Sequence, residues 1–230
     1  MLNLMKLERM KMKLGWYVKG AVMANVLIIA LLSFAMYTAQ VEGELFVASH
    51  QEAFILIGAI VRATFIIFAA VLIAKMIIEE YSNKTILILF SYPINRKKII
   101  ASKLLIIGAL TFITMLLSNI IVVGSFSIIH HYIPLVPFQI TMQQYVGEVI
   151  KMVPYSIATA GISLIPLYFG MRKHSVPATI CSSIIVVMIA CSSYPSFSLV
   201  TFIPLQLGLA AVGVAIAYFS IRTIEKEDLV

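Results

Sequence analysis

Residues 53–74 of this chain, AFILIGAIVRATFIIFAAVLIA, form an apolar run in which Arg62 is the single charged residue. An α-helix rises about 1.5 Å per residue, so about 20 apolar residues suffice to cross the hydrocarbon core of a bilayer. A soluble domain would have to bury such a helix on every side. The run therefore predicts a membrane-spanning helix.

Further apolar runs of similar length follow along the chain, and as helices they would be about 27–39 Å long, enough to cross a bilayer. The strict apolar–polar alternation of a membrane β-barrel is absent. The predicted fold is all-α: a single polytopic membrane domain over residues 1–230 with six transmembrane helices. The predicted spans are 21–39, 53–74, 104–129, 152–170, 176–193 and 199–221.

The composition of the chain also indicates that the bilayer is its solvent. Hydrophobic residues make up 61% and charged residues 12% of the sequence, against about 45–50% and 25% in soluble domains. Cys181 and Cys191 fall on one predicted helix, about 15 Å apart along its axis, which is too far for a disulfide with each other. No linker or separate soluble domain is visible in the sequence.

The distribution of basic residues predicts the orientation. The net charge is +7, and if residue 1 is cytoplasmic, all 17 Lys and Arg residues except Arg62 and Lys151 lie in cytoplasmic segments. Cytoplasmic loops carry such an excess of Lys and Arg. We therefore predict that both termini are cytoplasmic, and that the positive charge reflects the membrane rather than a nucleic-acid partner.

Residues 1–15 are predicted to form an amphipathic helix on the inner membrane surface. Lys6, Arg9 and Lys13 share one face of that helix, and the apolar side chains at positions 7, 10 and 14 share another. Basic side chains there would contact anionic lipid headgroups. The alternative is an ordinary basic flank of the first span.

Three polar side chains fall within the predicted spans. A charge inside a membrane is costly and is a functional candidate by default, so Arg62 would line a water-filled path, pair with an acid of a partner protomer, or meet an anionic lipid or substrate. The structural alternative is that Arg62 reaches toward the outer headgroups with help from Glu52. Asn25 and Asn119 are of the type that ties helices together more often than it binds cargo.

Sequence motifs for catalysis, metal binding and nucleotide binding are absent. The chain has no His-Glu-x-x-His or Gly-x-Ser-x-Gly motif, and Lys84-Thr85 lacks the glycines of a phosphate-binding loop. Glu79-Glu80-x-x-x-Lys84 is near a motif of CAAX-type intramembrane proteases, but the predicted topology places His50 on the opposite side of the membrane. We therefore predict no enzyme activity and no metal or cofactor bound directly.

A charged island, KMIIEEYSNKTILILFSYPINRKKIIASK at residues 75–103, separates the second and third spans. Ser82 or Asn83 is a candidate cap for a helix over residues 84–90, and Pro93 ends it. Residues 85–90 are too apolar for a free loop and too short to span a membrane. Lying in the membrane surface, this helix would expose a knob that suits a groove on a soluble partner.

The island resembles the corresponding segment of type 2 ATP-binding-cassette (ABC) exporter permeases. That family shows an acid, a Gly-Thr pair, a Leu pair, Pro-Ile-x-Arg and a Lys before the third span. Six spans, about 230 residues, two cytoplasmic termini and a basic N-terminal helix agree as well. Lys84 departs from the pattern, because it stands where the family has Gly. The matching positions are Glu79–Thr85, Leu89, Tyr92-Pro93-Ile94, Arg96, Ile99 and Lys103.

The resemblance implies a permease subunit of the bacterial cytoplasmic membrane that forms the translocation path with a second permease, identical or a sister subunit. Two separate ABC ATPase subunits would bind ATP and Mg²⁺ and push on a coupling helix at residues 79–93. The implied coupling residues are Glu79, Glu80, Tyr81, Thr85, Ile86, Leu89, Phe90, Pro93 and Arg96. Short permeases of this kind resemble those of bacteriocin export or immunity, which implies an amphipathic peptide or a similar membrane-active cargo.

Two other functions stay open at this point. A stand-alone carrier would use intramembrane acids for ion coupling, and no predicted span contains Asp or Glu. An immunity protein that sequesters a toxin would need no nucleotide and therefore no ATPase partner.

Overall fold

Apolar helices form nearly all of the computed structural model, which describes residues 14–42, 49–83, 96–132, 142–194, 197–198 and 202–227. The prediction of an all-α polytopic membrane protein is confirmed, with one pair of two-residue antiparallel strands in the described ranges. The elements are α1 (Leu14–Glu42), α2 (His50–Ile73), a π-helical segment (Ala74–Ile78), α3 (Glu79–Ser82), α4 (Arg96–Tyr132), α5 (Met142–Ile162), α6 (Pro166–Lys173), α7 (Val176–Ala190), β1 (Ser193–Tyr194), β2 (Phe197–Ser198) and α8 (Ile203–Glu227).

Five helical stretches in the described part of the chain are long and apolar enough to cross a membrane. The segment predicted as the fifth span, 176–193, is the shorter helix α7, which ends at Ala190 because the backbone of Cys191 leaves the helical conformation. Its 15 residues give a length of about 22 Å. The five longer stretches are Gly15–Ala39, Gln51–Ser82, Lys97–Ile129, Val146–Lys173 and Ile203–Arg222.

The two prolines of the predicted fourth span have different effects. α5 continues through Pro154, whereas the regular α-helix is interrupted before Pro166, which starts α6. At the break, the N–H groups of Leu164 and Ile165 donate to carbonyls three residues earlier, at 3.1 and 3.0 Å. A proline fits the first turn of a helix because its missing N–H has no partner there in any case.

Buried apolar side chains form three clusters. One packs α1 against α2 and α4, with Met36, Ile57 and Met115 among its members. A second surrounds the π-helical segment. The third lies where α2, α5, α7 and α8 meet. Large apolar side chains such as Leu31 and Met188 are more than 60% exposed, as expected for helices that face lipid.

The helices α5 and α8 approach so closely that only glycine fits at their crossing. A Cβ added to Gly213 would lie 2.2 Å from the carbonyl oxygen of Gly161, and one added to Gly161 would lie 2.7 Å from the Cβ of Ala210. Small residues at such crossings let membrane helices pack by backbone contact. The crossing fixes the last helix against the middle of the bundle.

Two of the sequence-based predictions fall largely outside the described residues. The interfacial helix predicted at residues 1–15 overlaps them only at 14–15, which belong to α1. The short helix predicted at residues 84–90 lies wholly outside them. The last predicted span is a regular helix from Ile203, with Pro204 in its first turn.

Candidate functional site

The charged island begins as a continuation of the second span rather than as a loop. α2 runs into the π-helical segment and then into α3, which carries Glu79, Glu80 and Tyr81. The N–H of Glu79 donates to the carbonyl oxygen of Ala74, five residues earlier. A π-helical turn displaces the usual hydrogen-bond partners within a helix. Here it places a backbone carbonyl of the same turn within reach of a side chain from another helix.

That side chain is Lys103, from the second turn of α4. Its Nζ donates to the carbonyl oxygen of Met76 at 3.0 Å and forms an ion pair with the carboxylate of Glu80. We call this arrangement, Lys103 with Met76 and Glu80, the Lys103 clasp. It joins the helix that enters the island to the helix that leaves it.

Both charged groups of the clasp are shielded from solvent, but to different degrees. The Lys103 side chain is 2% exposed and that of Glu80 is 17% exposed. Removing one partner of a buried ion pair costs about 3–5 kcal/mol, because the other charge is left without compensation. The clasp therefore ties α3 and the π-helical segment to the start of α4.

A second contact joins α3 to the turn between α6 and α7. The ring of Tyr81 stacks on that of His174, with centroids 5.7 Å apart. His174 ends α6 in the left-handed conformation, with φ of 45°. Such a residue at a helix end reverses the chain direction, and here it brings the imidazole back over Tyr81.

α6 packs directly against the π-helical segment. A Cβ added to Gly170 would lie 2.9 Å from Cδ1 of Ile78 and 2.3 Å from the Thr179 hydroxyl oxygen. The Thr179 hydroxyl itself donates to the carbonyl oxygen of Ser175 at 3.1 Å. The π-helical segment is thus in contact with α6, and α6 in turn with α7.

The structure brings some of the predicted coupling residues together and leaves others undescribed. Glu80 and Tyr81 make the contacts above, and Glu79 is exposed on the same turn. Arg96 is the first residue of α4, and its side chain is outside the described part. Thr85, Ile86, Leu89, Phe90 and Pro93 lie outside the described residues, and their coupling role stays a prediction.

Two residues of this site were not predicted as site residues. Lys103 was part of the family pattern, but its partners were not foreseen. The available signal was a lysine at the very start of an apolar run, where burial demands a counter-charge. His174 follows Arg172 and Lys173, and the sequence carried no sign that it would stack on an aromatic ring 93 residues earlier.

The three polar residues predicted within spans are all buried, and none of them belongs to the Lys103 clasp. Arg62 is 3% exposed, Asn25 7% and Asn119 2%. The Asn25 amide donates to the carbonyl oxygen of Ala21 in its own helix, at 3.0 Å. The Arg62 guanidinium lies over the ring of Tyr155, 4.9 Å from its centroid, which joins α2 to α5.

The Lys103 clasp is a structural link between α4 and the helical segment that carries Met76 and Glu80. Among the described residues, no group of His, Cys, Asp and Glu side chains has the arrangement of a metal site. The clasp joins α3 to α4, and exposed Lys98 and Arg172 lie on α4 and α6.

Comparisons with known proteins agree with the family resemblance. The family model for "ABC-2 family transporter protein" matches residues 4–190. A relative from Bacillus subtilis (strain 168), described as "Uncharacterized protein YcbO", is 45% identical over 227 residues, which cover 99% of this chain and 100% of the relative. No solved structure matches.

Proposed function

This chain belongs to the ABC-2 family of transporter proteins, and we propose that it is the membrane-spanning permease subunit of a transporter driven by separate ABC ATPase subunits. The family's chains are the transmembrane components of transporters rather than the catalytic ones. The multi-pass helical architecture fits that part.

The observation that carries the proposal is the Lys103 clasp. The segment 84–95 lies in the sequence between Glu80 and Lys103, two residues that form an ion pair. A force applied to that segment would therefore act on α2 and α4 at the same time. The contact between Tyr81 and His174 extends the same connection to α6 and α7.

The partner that would apply the force is an ABC ATPase, two copies of which bind ATP and Mg²⁺ in the complete transporter. Leu89 and Phe90 would enter a groove on the ATPase, as an apolar helix enters a partner's groove. A second permease, identical or a sister subunit, would complete the translocation path. The surrounding membrane lipid contacts the exposed apolar faces of the helices.

The proposed cargo is an amphipathic or antimicrobial peptide, or a similar membrane-active molecule, and the proposed direction is export. The segments that join the spans on the predicted outer side are short, which leaves little protein there to capture a soluble ligand. The proposed location is the bacterial cytoplasmic membrane, with both termini in the cytoplasm as the basic residues predict.

The experiment that tests this function is purification of the tagged chain from its native membrane in a mild detergent, followed by mass spectrometry. We expect an ABC ATPase in comparable molar amount, and any sister permease would be found in the same preparation. A preparation without an ATPase, under conditions that preserve other membrane complexes, would contradict the proposal and favour a stand-alone carrier or immunity protein.

A further inference from the structure

A cavity of about 210 Å³ lies between α2 and α5, at the end of α2 opposite to the Lys103 clasp. The residues of each wall recur at intervals of one to four positions, so they share one face of their helix. The α2 wall consists of Gln51, Ile55, Gly58 and Arg62, and the α5 wall of Glu148, Lys151, Met152 and Tyr155.

The cavity leads from the protein surface to a buried cation. At its outer end the Lys151 side chain is 63% exposed and that of Glu148 is 20% exposed, whereas Arg62 is 3% exposed. Arg62 lies 11 residues after Gln51, which is about 16 Å along the helix axis. The cavity therefore gives a charged group on a bound molecule a route from the membrane surface to Arg62.

The charges of the lining residues favour an anion. Glu148, the one acid in the described lining, accepts from Lys151 at 2.7 Å, so these two charges compensate each other. Two of the three charged residues in the described lining are basic, so these walls carry a net charge of +1, with Arg62 at the inner end. Its guanidinium lies over the Tyr155 ring, and its planar fork of N–H donors suits the two oxygens of a phosphate or carboxylate.

We propose that this cavity binds the phosphate of an anionic phospholipid, with Arg62 as the main phosphate ligand and Lys151 at the entrance. Headgroups are the phosphate groups that a membrane supplies at high local concentration to this end of the bundle. The neighbouring residues on α5, Ile150 and Val153, are 65% and 40% exposed and would contact the acyl chains. The cavity itself offers Ile55 and Met152 to the less polar parts of the headgroup region.

The position of Arg62 within a membrane helix is consistent with this proposal. An arginine deep in a membrane helix is tolerated where water or lipid headgroups reach it. A phosphate drawn into the cavity would place a negative charge and hydrogen-bond acceptors beside the Arg62 guanidinium. The inference depends on membrane insertion alone and is independent of any ATPase partner or cargo.

The test is the apparent dissociation constant of the full-length chain for palmitoyl-oleoyl phosphatidylglycerol, measured by native mass spectrometry from detergent micelles. We expect Arg62→Gln to weaken binding about tenfold or more, because a charge-assisted hydrogen-bonded contact is lost. Lys173→Gln removes an exposed charge at the other end of the bundle and should leave this tight binding unchanged.

A second pair of variants keeps the test valid if Arg62→Gln impairs folding. A Cβ added to Gly58 or to Gly108 meets nothing within 4 Å, but only Gly58 lines the cavity. Gly58→Leu should fill the cavity and weaken lipid binding to the same extent as Arg62→Gln. Gly108→Leu, the matched control on α4, should bind the lipid as the wild-type chain does.

Soluble glycerol phosphate distinguishes the source of the phosphate. Displacement of the lipid by millimolar glycerol phosphate would support a site for the phosphate group itself, and resistance to it would support a site for the intact lipid. Unchanged lipid affinity in both Arg62→Gln and Gly58→Leu would overturn the proposal.

Discussion

Lys103 and Glu80, 23 residues apart in the sequence, form an ion pair across the base of the segment that joins the second and third spans. The same ammonium donates to the carbonyl oxygen of Met76 in the π-helical turn. One ammonium therefore contacts both the π-helical segment and α3. The consequence is a rigid base for a short segment that we propose contacts an ATPase.

Removing one partner of the clasp should cost more stability than removing the other. Glu80→Gln leaves the Lys103 charge without its partner, on a side chain that is 2% exposed. We expect the free energy of unfolding to fall by about 3 kcal/mol. Lys103→Met leaves Glu80, which is 17% exposed and reaches solvent more easily, so the loss should be smaller. Thermal unfolding of the purified chains in detergent measures the difference.

Glu79→Gln is the matched control for that comparison, since Glu79 is the adjacent residue and is exposed. We expect its unfolding midpoint to stay near that of the wild-type chain. Equal effects of Glu79→Gln and Glu80→Gln would show that the clasp contributes no specific stability.

The crossing of α5 and α8 makes a prediction about packing. Gly213→Ala places a methyl group 2.2 Å from the carbonyl oxygen of Gly161, and a backbone atom cannot move aside without separating the helices. We expect the free energy of unfolding to fall by about 2 kcal/mol, within the usual range for overpacking. A lower unfolding midpoint in detergent would show this loss.

Gly208→Ala, on the same helix, is the control for Gly213→Ala. A Cβ there meets nothing within 4 Å, and alanine favours the helix over glycine by up to about 1 kcal/mol. The Gly208→Ala chain should therefore be as stable as the wild type or slightly more so. A Gly213→Ala chain as stable as the Gly208→Ala chain would mean that the helices do not cross as described.

The sequence was most informative where apolar runs alone decide the outcome. Each predicted span overlaps a helix, because a membrane helix must satisfy its backbone internally whatever its neighbours are. The all-α fold and the family followed from that pattern and from residues such as Pro93 and Arg96. Boundaries were harder: the helix predicted to end at Ala74 continues to Ser82, because charged side chains at a membrane surface do not stop a helix.

The parts that could not be predicted depend on contacts between distant residues. The pairing of Lys103 with Glu80 depends on how α3 packs against α4, and the π-helical turn before α3 has no clear signal in a single sequence. The stacking of Tyr81 on His174 depends on a left-handed residue that is not glycine. The cavity at Arg62 depends on how α2 and α5 face each other, which periodicity leaves undetermined.

The predicted orientation is testable by cysteine labelling. In a background without Cys181 and Cys191, Ser49→Cys precedes α2 and Asn83→Cys follows α3, so the two positions flank one span. With both termini in the cytoplasm, an impermeant maleimide applied to intact cells should label position 49 and should label position 83 only after permeabilisation. The reverse pattern would invert the proposed topology.

We propose that the segment between Glu80 and Lys103 binds an ATPase, and the amount of ATPase recovered per permease chain measures this binding. Phe90→Asp places a charge on the proposed contact helix, and Phe202→Asp makes the same change just before α8, at the other end of the bundle. We predict that the wild-type and Phe202→Asp chains recover comparable ATPase, while Phe90→Asp recovers about tenfold less or lower still, as for an interface hot spot. Equal ATPase recovery with Phe90→Asp and wild type, at equal amounts of permease in the membrane, would contradict the claim.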